Sequence, residues 1–270
     1  MRKIAQVSRA AAVLMLTVAP LMRPAVAQMQ RQVHRCDNKN VSFDQRISGC
    51  TTAIRSGKWK GRNLAWAYLD RGVAWRAKGD NNRAIADYDQ AIRLNPKLVL
   101  AYSNRGVAWS AIGDNDRAIA DYDQAIKLDA KLAMAYYNRG NVYRDKQDYD
   151  PAIANYTQAI RLDPKFFSAY INRGVLHDAK MDYDRAIADY TQAIQLDPKL
   201  AVAYNNRGNA YAAKDDYPHA IADYTEAIQL DTKAARSYYN RGLAKRAQGD
   251  TGEGDADIAQ ARQIDPNIGN

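Results

Sequence analysis

"AYNNRGNAYAAK", residues 203–214, sets Arg207 and Gly208 in the middle of a stretch that otherwise reads as an amphipathic helix. Glycine inside a helix costs about 1 kcal/mol relative to alanine, and a neighbouring arginine would ordinarily face water. Nearly the same phrase recurs as "LDRGVAW", "SNRGVAW", "YNRGNVY", "INRGVLH" and "YNRGLAK". Its glycines fall at Gly72, Gly106, Gly140, Gly174, Gly208 and Gly242, 34 residues apart without a gap. A fixed period of this length is the mark of a repeat array, in which each unit is one supersecondary element that stacks on the next. Six units follow: 65–98, 99–132, 133–166, 167–200, 201–234 and 235–268.

Each unit reads as two helices. The first begins at the "AYNNRG" phrase, and a turn carrying an aspartate follows (Asp80, Asp114, Asp148, Asp182, Asp216, Asp250). The second reads "RAIADYDQAIRL" or a close variant. In "YDPAIANY" the order Asp150–Pro151 predicts an N-cap and a first-position proline. Pro96, Pro164, Pro198 and Pro266 predict where second helices stop.

The fifth unit's Tyr204, Gly208, Tyr211, Ala220, Tyr224 and Ala227 resemble the pattern of the tetratricopeptide repeats, and the resemblance holds in register six times, over about three quarters of the chain. It implies an all-α solenoid of helix-turn-helix repeats, a right-handed superhelix whose concave groove binds peptides or proteins. The last unit departs from the others: Gly254 stands for alanine, Ile258 for tyrosine, and its second helix is more polar, as a terminal repeat facing water should be. Upstream, "RISGCTTAI" (46–54) resembles the second helix of a further unit, with Cys50 in the slot of Tyr88. Residues 28–64 therefore read as a basic segment and half-repeat cap.

Residues 1–27 read as a secretory signal peptide: Arg2, Lys3 and Arg9, the apolar run "AAAVLMLTVAPLM", then "AVA" before a cleavage point after Ala27. Such a leader implies export to a periplasm or the exterior, with no stable membrane insertion once it is removed; an uncleaved anchor is the alternative. In an exported chain the two cysteines, Cys36 and Cys50, predict a disulfide, worth about 3 kcal/mol for a loop of this size. Four of the chain's formal +9 charges lie in the leader. Residues 28–63 hold eight basic residues against Asp37 and Asp44, so 64–270 sits near −1. The array lacks the positive footprint that nucleic-acid binding needs.

The helical wheel sorts the first helix into two faces. Tyr204, Gly208 and Tyr211 form a packing face, with Arg207 at its margin. A buried guanidinium needs a partner, and the second helix offers an aspartate at a fixed spacing. The predicted ladder is Arg71–Asp87, Arg105–Asp121, Arg173–Asp189, Arg207–Asp223 and Arg241–Asp257, with Arg139 facing Asn155. Arginines that bind phosphate or polysaccharide are the rival reading.

The opposite face predicts a ligand groove. Trp66, Leu69, Leu100 and Met134 open it, Tyr137, Asn141 and Ile171 continue it, and Asn205, Asn209 and Tyr239 end it. Beside them runs one asparagine per repeat: Asn104, Asn138, Asn172, Asn206 and Asn240. Carboxamides donate and accept at once and suit an extended backbone; the bland alternative is that they bond a neighbouring helix. The groove's largely uncharged lining speaks against a clamp for a terminal carboxylate. No hydrolase, metalloprotease or phosphate-loop motif occurs among the residues. His34, His177 and His219 lie near no nucleophile motif, so the expectation is no catalytic residue, no metal and no cofactor. The expected partner is a protein or peptide; glycan bound in an envelope setting is the second reading. Oligomeric state is not fixed by the sequence.

Overall fold

Every second helix begins one residue after its aspartate. The carboxylates of Asp80, Asp114, Asp182, Asp216 and Asp250 accept the backbone N–H three residues on, from Arg83, Arg117, Arg185, His219 and Glu253. These caps satisfy a donor that the first turn would otherwise leave open. The third repeat obeys the same register, which corrects the sequence expectation: its helix starts at Tyr149 after Asp148, and Asp150–Pro151 lies inside the first turn. Pro151 occupies the position whose N–H makes the cap elsewhere. Proline has no N–H to give, so Asp148 alone makes no side-chain cap bond.

The computed structural model describes residues 35–38 and 40–269; the predicted leader, its cleavage point and His34 lie outside them. Helix α1 spans Phe43–Arg55, and a short 3₁₀ turn at Gly61–Leu64 leads into the array. The repeats are α2/α3 (Ala65–Ala77, Asn81–Leu94), α4/α5 (Val99–Ala111, Asn115–Leu128) and α6/α7 (Ala133–Asp145, Tyr149–Leu162). They continue with α8/α9 (Phe167–Ala179, Tyr183–Leu196), α10/α11 (Ala201–Ala212, Tyr217–Leu230) and α12/α13 (Ala235–Ala247, Thr251–Ile264). The described chain is an α-solenoid without a strand. Each helix packs on the next in sequence, and successive first helices also touch one another. The inner wall is therefore built of first helices.

The stop between repeats does not depend on proline. Asn95, Asp129, Asp163, Asp197 and Asp231 each accept the N–H two residues ahead. The turn thus survives where Ala130 and Thr232 replace proline.

The core repeats as well. Tyr88, Tyr122, Tyr156, Tyr190 and Tyr224 are at most 2 % exposed and lie under buried alanines. Each ring fills the space above its glycine: a Cβ on Gly72, Gly106, Gly140, Gly174 or Gly208 would sit 2.6–2.9 Å from a tyrosine carbon. The recurrent glycine is a packing device. In the last repeat Ile258 replaces tyrosine, the helices close up, and a Cβ on Gly242 would meet the Gly254 carbonyl at 2.7 Å.

Both ends are closed. In α13, Asp255 and Arg262 take the places that Ile221 and Ile228 hold in α11, which removes the apolar surface a further repeat would need. At the other end Cys50, in the tyrosine slot, is bonded to Cys36, and both are fully buried.

Candidate functional site

The two faces of the first helices differ in what they touch. On the packing side, Arg71, Arg105, Arg173, Arg207 and Arg241 each donate two parallel hydrogen bonds, 2.6–2.9 Å long, to Asp87, Asp121, Asp189, Asp223 and Asp257. Arg139 donates to Asn155 at 2.8 Å, and Asn155 returns its amide to the Pro151 carbonyl. The aspartates are buried and the guanidinium groups mostly so.

A further bond escaped the sequence reading. The remaining guanidinium nitrogen reaches back to the preceding unit's second helix, at Thr51, Asp89, Asp123, Thr157, Thr191 and Thr225 in turn. Each guanidinium also lies 5.5–5.8 Å from the ring of the tyrosine three residues earlier, Tyr68 through Tyr238. Every arginine thus ties its own helix pair together and ties the pair to its neighbour. Thr51 takes part as Thr157 does, so α1 serves the first repeat as a second helix would.

Proton affinities follow these contacts. The bidentate bond to Asp223 raises the Arg207 guanidinium above its ordinary value, although burial opposes it. Burial raises Asp121 in spite of Arg105, whereas Asp257 is lowered: burial opposes that shift, but Arg241 and Lys245 together outweigh it. Burial pushes the phenols of Tyr88 and Tyr156 up to about 12, so both stay protonated at neutral pH; the Tyr156 hydroxyl donates to Asn141, whereas that of Tyr88 has no hydrogen-bond partner.

On the inner wall the predicted groove residues divide. Leu100, Met134 and Val202 occupy the same helical position in three repeats and are 53 %, 49 % and 53 % exposed. Trp66 holds that position in the first repeat, set edge-on against Trp59 at 5.6 Å. Leu69 and Ile171 are half-buried and pack inward, against the clusters around Tyr88 and Tyr190. Tyr137 is committed as well: its ring lies 4.6 Å from Phe166 and 5.8 Å from Tyr156, and its hydroxyl accepts from Asn172.

Nor do the asparagines form one free row. Asn141 accepts from Tyr156 at 2.8 Å and from Asn172 of the following repeat at 3.0 Å. Asn209 does the same with Tyr224 and Asn240, and Asn205 accepts from Ser237. These side chains stitch repeats together, while Asn104, Asn138 and Asn206 are half-buried on the wall without such a bond. Val175 replaces asparagine at the fourth repeat's relay position, and the buried Tyr190 hydroxyl there has no hydrogen-bond partner. A hollow of about 800 Å³ lies at the fifth and sixth repeats. Val202, Asn206, Arg236 and Tyr239 line it, and Asn267–Gly269 close its rim.

His177 is buried, and burial lowers its pKa; His219 is exposed and pairs with Asp216. Among the described residues no cluster of three metal-ligating side chains occurs, and no helix is long and apolar enough to cross a membrane.

A stack of helix pairs with a continuous lattice on one face and a variable wall on the other defines a repeat protein of the α-solenoid class. The chain belongs to the tetratricopeptide repeat family: the family's TPR repeat pattern matches residues 72–113, 110–144, 140–180 and 179–215, and its tetratricopeptide repeat patterns match 201–232 and 235–268. Among solved structures it is similar to YrrB, described as a TPR protein with an unusual peptide-binding site. The identity is 24 %, the TM-score 0.61, and the match covers 67 % of this chain and 93 % of that one. It is also similar to MamA, at 28 % identity and TM-score 0.58, over 64 % and 94 % of the two chains. PilF of Pseudomonas aeruginosa matches at 18 % identity and TM-score 0.66, over 77 % and 95 %. No curated protein matches the sequence.

Proposed function

We propose that this chain is an exported, non-catalytic scaffold that holds an extended protein segment along the inner wall of its solenoid. The observation that carries the reading is the row Leu100, Met134 and Val202, apolar side chains about half exposed at one helical position of the second, third and fifth repeats, with Ser168 between the last two. Exposed apolar side chains aligned on a concave wall are a common mark of a partner site. The peptide-binding site named for YrrB supports the same use of this architecture. Export rests on the leader grammar of residues 1–27 and agrees with the Cys36–Cys50 disulfide, since such bonds persist in oxidising compartments.

Selection from a displayed library of random peptides tests the binding role, with a glycan array as the control for the carbohydrate reading. The combined variant Leu100→Ser, Met134→Ser and Val202→Ser should weaken the selected peptides at least tenfold, about 1.4 kcal/mol. Its melting temperature should barely move, because half-exposed positions contribute little to stability. Unchanged peptide affinity, or binding to glycans alone, removes the proposal. N-terminal sequencing of chain recovered outside the cytoplasm should begin at Gln28; an intact Met1 there would contradict cleavage.

A further inference from the structure

The half-repeat cap carries a feature that the repeats do not. Between α1 and α2 the chain reads "RSGKWKGR", residues 55–62, with Arg55, Lys58, Lys60 and Arg62 in eight positions and no acidic residue. All four cations are exposed, and among the described residues none is paired with a carboxylate. In the array, Lys78, Lys146, Lys180 and Lys214 each meet an aspartate of a preceding unit, and cations without a carboxylate partner, such as Lys97, Lys131, Lys165 and Lys199, are not gathered four to a single loop. Asp44, an acidic neighbour within the cap, is taken up by Lys78. Gly57 and Gly61 turn the loop at positive φ, and nothing packs on either glycine.

The loop is joined to the groove through its aromatic residue. Trp59 lies between Lys58, whose ammonium is 5.1 Å from its ring, and Trp66, which it meets edge-on. Trp66 is the first of the wall positions that continue as Leu100 and Met134. The apolar N-terminal part of the wall, Trp66, Leu100 and Met134, therefore ends against a cluster of positive charge without carboxylate partners. Resting on the groove reading above, we infer that the ligand is a peptide segment with apolar residues along the wall and a run of Asp or Glu at one end, held by Lys58, Lys60 and Arg62. A lipid surface suits the cap less well. A membrane-docking tip presents its aromatic outward, whereas Trp59 is turned onto Trp66 and packs on the Cys36–Cys50 cluster.

The acidic end would fix which way the peptide runs. Charge at the rim also speeds encounter and makes binding depend on salt.

The test repeats the library selection with the full chain and with the variant Lys58→Gln, Lys60→Gln and Arg62→Gln. These side chains are exposed, so circular dichroism should match the parent. The parent should enrich peptides with clustered Asp or Glu at one end and apolar residues at the other. The variant should lose the acidic enrichment, keep the apolar one, and bind the parent's best peptides about tenfold more weakly at low salt. Absence of acidic bias in the parent, or a bias that persists in the variant, overturns the inference, and so does a selection that returns no binder. Binding to phosphatidylglycerol vesicles that the variant abolishes, without acidic peptides being selected, also overturns it and assigns the loop to membranes. The outcomes are separable from those of the groove: apolar enrichment without acidic bias leaves the groove standing. Acidic peptides that ignore Leu100→Ser, Met134→Ser and Val202→Ser leave the loop standing alone.

Discussion

The two faces of the first helices obey opposite rules. On the packing face Arg71, Arg105, Arg139, Arg173, Arg207 and Arg241 never change, and each bonds forward to its own second helix and back to the preceding one, with Asn155 in place of aspartate only for Arg139. On the inner wall the positions starting at Trp66 read Trp, Leu, Met, Ser, Val and Arg, and three of them expose an apolar side chain. A contact that recurs with the 34-residue period serves stacking, because stacking must be solved identically at every junction. A wall that changes from repeat to repeat can distinguish one partner from another. The asparagines cross this division, since several that look like ligand contacts close the junctions instead.

The comparison breaks most directly at Arg207. Removing it strands Asp223, which is buried, and also cuts the bond to Thr191. Arg207→Ala should cost about 3–5 kcal/mol by urea denaturation. Arg207→Leu combined with Asp223→Tyr should recover most of that loss. If Arg207→Ala leaves stability intact and abolishes ligand binding, the packing face is a binding face and the division fails.

Gly208→Ala sets two effects against each other. Alanine is the better helix former by about 1 kcal/mol, but its Cβ would lie 2.8 Å from the ring of the buried Tyr224. Overpacking should win, with a net loss of roughly 1–2 kcal/mol in the same measurement. A more stable variant would show that the ring can yield.

A smaller effect, of opposite sign, is expected where the relay is incomplete. Val175→Asn offers the Tyr190 hydroxyl the acceptor that Asn141 gives Tyr156, and a full relay would also engage Asn206. Stability should rise by about 1 kcal/mol. No gain would mean that Tyr190 is already satisfied by water.

The smallest effect lies in pH. His177 fills a packing-face position that is Trp75, Trp109, Tyr143, Tyr211 and Lys245 elsewhere, and burial lowers its pKa. Around it Asp189 and Asp182 pull the value up, while Arg173 and Arg185 pull it down. A histidine lowered in the folded state favours folding above its unfolded pKa, about 6.5. That contribution is lost as pH falls below 6.5 and the unfolded chain takes the proton first. Melting temperature should drop between pH 7 and 5.5 for the parent, and less for His177→Tyr.

Sequence by itself determined the period, the helix pairs, the aspartates of the turns and the sixteen-residue spacing between arginine and aspartate. All of these depend on residues within one repeat, where helix geometry places side chains without reference to a neighbour. The start of α7 shows the limit of even local rules: Asp150–Pro151 carries the expected signature, yet the register common to all repeats places the cap at Asp148.

What joins one repeat to the next was decided only by the tertiary structure. The arginine's backward bond to Thr51, Asp89 or Thr157 and the reach of Asn172 to Asn141 both depend on how repeats stack. The stacking angle sums many weak contacts along two helices, and no single residue announces it. The same residue type therefore reads alike in sequence whether it faces a neighbouring helix or a ligand. Asn206 and Asn172 are indistinguishable in the phrase "NRG"; the residue at the relay position of the preceding repeat, Val175 or Asn141, sets them apart.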